Sequence, residues 1–249
     1  MAKQVPKRLG KEPLIESLFE IRFWSDITSV SSILPGVIYS AYSNRITKTV
    51  PLPLAGIIPE IREKDPNLKY APIVQFSLDP GPYIFQVGDH VASVSCPRPY
   101  TGWSEFGGTI REFMGVLEKS KLINNPERFS MKYSDILSIA GAPTVAVLDV
   151  DFKLGGRDAT SGPVTLRVEE NASPFVHIVQ IIASVNAQLA DGSQLSGILI
   201  ENDTIFNHAG GNFWTTLDRQ LDSMHEFNKG RFFELLKPET LAALEPEYR

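Results

Sequence analysis

Residues 73–96, IVQFSLDPGPYIFQVGDHVASVSC, decide the fold. The runs 73–78 and 83–96 are strand-like, and Asp79-Pro80-Gly81-Pro82 separates them. Proline and glycine pre-set a tight reversal, so the two runs form an antiparallel hairpin. Gly88-Asp89 is a second turn signal and lets the longer run fold back on itself. Upstream, LIESLFEIRFW (14–24) places Ile15, Phe19, Ile21 and Phe23 on one face of a strand and Glu16, Glu20 and Arg22 on the other. A helix follows, with Pro35 as its first residue and Val37, Ile38, Ala41, Tyr42 and Arg45 along one side. Pro51, Pro53, Pro59, Pro66 and Pro72 crowd residues 50–72, which read as a surface loop or edge segment. Downstream, Phe106, Ile110, Phe113 and Leu117 recur at helical spacing within 103–123, and Asn124-Asn125-Pro126 ends that helix.

The second half opens with a strand over 128–139. Gly141-Ala142-Pro143 breaks it, and strand-like runs follow at 144–154, 163–169, 175–188 and 194–206. Their short polar turns favour an antiparallel meander over βαβ units. Asn212 is the expected N-cap of a closing helix with Trp214, Leu217, Leu221 and Met224 on its buried stripe; Pro238 starts a last helical turn. The order is β-α-β-β-α-β, then four strands, then a long helix. This is an α+β chain with largely antiparallel sheets. The expected organisation is a flexible tail (1–12), a first lobe (13–140) and a second lobe (141–249) packed on it, or one continuous domain.

Composition bounds the rest. The chain has 249 residues, 43% of them hydrophobic, and a formal net charge of -5. That balance gives no support to a basic nucleic-acid stripe over the whole chain. The local excess at Lys3, Lys7, Arg8 and Lys11 reads as a solvated tail. No run approaches the ~20 apolar residues of a membrane span. Cys96 is the single cysteine, so no internal disulfide can form, and a reducing cytoplasm is the expected setting.

Phosphate-loop, zinc-protease, serine-esterase and C-x-x-C signatures are absent from the sequence. Asp149 and Asp151, two apart on an expected strand, share a face; Glu201 and Asp203 repeat the pattern. Four such carboxylates could hold a hard cation, but the solvated side of a half-buried sheet shows the same pattern. Asp222 and His225 sit one helical turn apart, as a carboxylate-oriented general base would, and as chance helix pairs do. His177 reads as a sheet histidine; His90 and His208 fall in turns. The stretch Cys96-Pro97-Arg98-Pro99-Tyr100-Thr101-Gly102-Trp103 makes a rigid aromatic corner before a helix. Counting back three from Phe106 places Trp103 on the buried side, as a structural anchor. Arg98 and Tyr100 are then the exposed binding candidates, and Arg98 offers a donor fork for a carboxylate or phosphate.

PLIESLFEIRF (13–23), FQVGDHVASVS (85–95), RPYTGW (98–103) and LDSMHE (221–226) occur in this order. Together they resemble a sporadically distributed prokaryotic family of uncharacterised proteins of about this length. The resemblance implies a self-contained cytosolic protein, with no catalytic residues to carry over. It departs at Ser95-Cys96 and at the late strand ILIENDTIF (198–206). Patchy occurrence is the habit of accessory genes such as defence or antitoxin partners. The expected function is a non-enzymatic protein-interaction partner that uses no cofactor. The alternatives are a metal-assisted hydrolase or nuclease using Asp149, Asp151, Glu201 and Asp203, and nucleic-acid binding through the basic tail and Arg98.

Overall fold

A computed structural model describes residues 5–27, 30–139, 144–160, 162–189, 192–207 and 213–248. The strands are β1 (Arg8–Leu9), β2 (Leu14–Trp24), β3 (Ile46–Pro51), β4 (Val74–Leu78), β5 (Ile84–Val87), β6 (Val91–Pro97), β7 (Asn125–Leu137), β8 (Lys153–Leu154), β9 (Arg157–Asp158), β10 (Thr165–Ala172), β11 (Phe175–Gln188), β12 (Gln194–Asn207) and β13 (Pro246–Glu247). The helices are α1 (Val30–Tyr42), α2 (Pro59–Lys64), α3 (Trp103–Ser120), α4 (Phe213–Glu234) and α5 (Pro238–Ala243). The fold is α+β with a large antiparallel sheet. No described helix is long and apolar enough to cross a membrane.

The chain forms two compact units, each discontinuous in sequence. One comprises Met1–Glu16, Lys132–Thr204 and Ser223–Arg249; the other comprises Ser17–Met131 and Ile205–Asp222. The sequence instead suggested a divide at Gly141–Pro143, which lies outside the described residues, as do Asn212 and His208.

In the unit built on Ser17–Met131, the strand order is β2-β6-β5-β4-β3. Strands β3 to β6 are an antiparallel meander, with Phe76 opposite Phe85 and Phe85 opposite Val94. The longer run in 83–96 does fold back at Gly88-Asp89, dividing into β5 and β6. Phe19, Ile21 and Phe23 of β2 are fully buried, as the alternation in that strand required. Phe106, Ile110, Phe113 and Leu117 of α3 are buried with them, and Phe85 meets Phe113 at a ring separation of 4.5 Å. Helix α1 begins at Val30, so Pro35 lies inside it instead of starting it. Its packed face, Val30, Leu34, Ile38 and Tyr42, steps by four and outweighs the single carbonyl bond that proline removes. Residues 50–72 hold the end of the edge strand β3 and two short helical pieces that start at Pro53 and Pro59, where a missing N–H costs nothing.

In the other unit the order is β7-β12-β11-β10. It echoes the first pattern, with the earliest strand beside the latest. The strands β10 and β11 pair from Thr165–Ile182 to Ala172–Phe175. The core gathers Leu137, Val179, Ile181, Ile200, Phe233 and Leu236. The run 144–154 departs from expectation. It is not one strand but a 3-10 turn (Val145–Val147), irregular backbone and the small hairpin β8–β9. Gly155 and Gly156 close that hairpin at φ 56° and 80°, a pair of values open to glycine. Leu148 meanwhile bridges to Leu236, and the Asp149 N–H donates to the Leu235 carbonyl, so this segment spends its backbone on the end of α4. Residues 7–11 also differ from a solvated tail, and Lys3 lies outside the described residues. Here β1 pairs with β13, the Lys7 N–H donates to Glu247 at 2.8 Å, and Lys11 meets Glu245 at 3.0 Å.

Two measurements test this packing. Leu221 is fully buried on α4, so Leu221→Ala lowers unfolding free energy by about 2–5 kcal/mol in denaturant melts. Asp135 of β7 is buried, and burial, with Glu12 adding to it, holds its carboxyl well above the usual range. Its protonated form is favoured by folding, so stability is lost as pH rises through its folded value. Relative to wild type, Asp135→Asn gains stability as pH is raised from ~4, the unfolded carboxylate value, to 8 in paired melts.

Candidate functional site

The corner between β6 and α3 is built from four fixed points. Cys96 is buried at the end of β6, and the Ser17 hydroxyl donates to its carbonyl at 3.5 Å. The Tyr83 and Thr101 hydroxyls share a hydrogen bond of 2.8 Å. Tyr100 sets its ring edge-on to Phe106, 6.0 Å away. Gly102, at φ 89°, turns the chain into α3 through backbone that an ordinary side chain would strain. Arg98 is exposed at the tip, and its side chain makes no ion pair or hydrogen bond with any described residue.

Trp103 corrects the sequence reading. It is half-buried, not sealed, and Tyr100 is half-buried as well, so the expected contrast between them is absent. The helical count put Trp103 on the right side of α3 but ignored its place in the first turn. There its indole Nε1 donates to Asp222 at 3.1 Å. Arg111 donates to the same carboxylate at 2.7 Å and to Asp218 at 3.2 Å, and lies 5.8 Å from the Trp103 ring. Asp222 therefore anchors Trp103 and Arg111, while the His225 Nδ1 is hydrogen-bonded to the Tyr133 hydroxyl at 2.8 Å. Each member of the expected acid–base pair is committed to another residue.

The four strand carboxylates have separate settings. Asp149 and Asp151 lie in irregular backbone, so the face-sharing argument fails for them. Asp151 is strongly exposed, 3.7 Å from Lys153. Glu201 accepts from Lys132 and Ser134, each at 3.2 Å, and from Gln180 at 3.3 Å. Asp203 lies two residues along on β12. Among the described residues, no group of three or more His, Cys, Asp or Glu side chains is placed to hold a metal ion.

What the sequence reading missed lies between those carboxylates. Asn202 and Thr204 alternate with Glu201 and Asp203, and both are fully buried with Ile198 and Ile200. The Asn228 amide of α4 donates to the Asn202 carbonyl and to the Thr204 hydroxyl, each at 3.0 Å. Thr204 Oγ1 is in turn hydrogen-bonded to His177 Nδ1 at 3.0 Å. Arg231 of α4 donates to Glu170 of β10. Burial holds the His177 imidazole below its ordinary value; Arg231 adds to this, while Asn202, Glu170 and Glu234 oppose it. Strand alternation alone would have placed Asn202 and Thr204 inward, beside Ile198 and Ile200.

A second missed cluster surrounds His90, which the sequence left in a turn. His90 is buried; its ring contacts Glu63 and the Phe23 carbonyl and stacks on Trp24 at 5.4 Å. Arg22 lies 4.5 Å from the Tyr70 ring, and Lys69 5.3 Å from Trp24. Glu20 pairs with Arg22 and Glu63 with Lys69, so these cations are already engaged within the unit.

No protein-family model matches the chain, and no curated protein matches it.

Relative anchoring at the corner is measurable. Phe106 is fully buried, so Phe106→Ala lowers unfolding free energy by about 3–5 kcal/mol. The half-buried Trp103→Ala loses clearly less, because less apolar area leaves water on folding.

Proposed function

We propose that the protein works by binding another protein, as an accessory partner of the defence or antitoxin kind, and that the β6–α3 corner is its contact surface. The observation that carries this reading is Arg98, an exposed guanidinium with no hydrogen-bond or ion-pair partner among the described residues, on a loop whose neighbours are held by hydrogen bonds and ring contacts. By contrast, Arg22, Arg45, Arg62, Arg111, Arg128 and Arg231 are all committed to carboxylates of this chain. A rigid corner loses little conformational entropy on docking, and the planar fork suits a carboxylate on the partner. The complementary surface is therefore acidic. Further support comes from the resemblance to a patchily distributed prokaryotic family and from the cytoplasmic setting expected of a lone cysteine.

Arg98→Glu tests it. The change reverses charge at an exposed position, so stability moves by no more than ~0.5 kcal/mol. Tagged wild-type and variant chains, expressed at native level in the source cell, are compared by quantitative co-purification. The expected result is one partner recovered with wild type and lost with Arg98→Glu. Equal recovery with both chains overturns the corner assignment. Recovery of nucleic acid that falls steeply with salt supports the alternative of phosphate contacts instead.

A further inference from the structure

In the β10–β11 register, Glu170 lies directly opposite His177. Directly opposed residues present their side chains on one face. On that face the Glu170 carboxylate nevertheless accepts from Arg231 of α4, and the other arm of Arg231 holds Glu234 at 2.8 Å. The His177 ring, fully buried, is hydrogen-bonded at Nδ1 to Thr204 Oγ1 and meets the Phe227 ring of α4 edge-on at 5.3 Å. The charged and polar groups acting on it are Arg231 and Glu234 from α4, Glu170 from β10 and Asn202 and Thr204 from β12. One carboxylate thus stands between two bases, one charged at every working pH and the other charged only when protonated.

We propose that Glu170 is an exchangeable latch: it holds Arg231, and with it the end of α4, while His177 is neutral, and it transfers to the His177 imidazolium in acid, releasing α4. The exchange leaves no ion stranded. Arg231 keeps Glu234 after it lets go, and the buried imidazolium gains the carboxylate that its charge requires. Burial and Arg231 both oppose protonation, so the imidazole protonates below its ordinary value.

Hydrogen exchange of the full chain, read by mass spectrometry at pH 7.5 and 5.5 and corrected for intrinsic pH dependence, tests the latch. In wild type, amides of residues 227–234 are expected to exchange on the order of tenfold faster at the lower pH, with β5 and β6 unchanged. His177→Gln is expected to keep α4 protected at both values, and Glu170→Gln to leave it exposed to exchange at both. Equal protection of wild type at the two values overturns the proposal. So does a uniform rise that includes β5 and β6, or a pH dependence that survives in His177→Gln. Should His177→Gln not fold, Arg231→Gln decides in its place: with no arginine to release, the pH dependence must vanish, and its persistence overturns the latch.

Discussion

The hydrogen bonds from Asn228 to the Asn202 carbonyl and the Thr204 hydroxyl set how α4 lies on its sheet. An apolar helix face can slide over an apolar sheet at little cost. A buried amide cannot, because each lost bond leaves a polar group dry at about 1–3 kcal/mol. Asn228 stands between His225, which meets Tyr133 of β7, and Arg231, which meets Glu170 of β10. These three residues are spaced by three along α4, so one stripe of the helix reaches β7, β12 and β10 in turn, with His177 of β11 joined through Thr204. Beyond this stripe Phe232, Phe233 and Leu236 close on Val179, Ile181 and Ile200 as ordinary apolar core. The polar line supplies register, and the apolar cluster supplies most of the burial.

The unit that carries the corner depends on a different device. Phe85, Phe113 and Tyr42 bring β5, α3 and α1 together, with ring separations of 4.5 Å and 5.0 Å. Arg62 is buried and ties three loosely connected pieces: it pairs with Asp89 at 2.6 Å, donates to the Leu54 and Ile57 carbonyls and reaches the Ser31 hydroxyl. A buried guanidinium is tolerable only when its donors are met, and here they tie down the proline-rich segment around α2. That segment carries Ile58 and Ile61 outward, while its arginine points in.

The proposed contact surface rests on which charged groups have partners within the described residues. The carboxylates that sequence patterning singled out, for a metal or for acid–base work, are distributed among separate tasks: Glu201 to Lys132, Ser134 and Gln180, and Asp222 to Trp103 and Arg111. Arg98 is spent on nothing within the described chain, and its loop is held in place by Tyr83, Thr101, Tyr100 and Phe106.

The sequence by itself determined the elements whose periodicity is strong. The β2 strand, the β5–β6 fold-back, the buried stripe of α3 and the extents of β11 and β12 all follow from alternation, helical spacing and turn residues, which act over a few neighbours. It also placed Arg98 between a strand and a helix, where the chain puts it between β6 and α3. Only the tertiary structure decided matters that depend on distant partners. Residues 144–154 have strand-like composition, yet Leu148 and Asp149 bond to the end of α4, about 90 residues on, instead of joining a sheet. Residues 7–11 look like a solvated tail until the chain terminus supplies β13. Trp103 and Tyr100 differ by helical count but not in burial, because Asp222 draws the indole to the rim and Phe106 draws the phenol inward. The buried line under α4 needed both kinds of information. Alternation points Asn202 and Thr204 inward, but a local pattern carries no sign of the amide, 24 residues from Thr204, that donates to the Thr204 hydroxyl and the Asn202 backbone carbonyl.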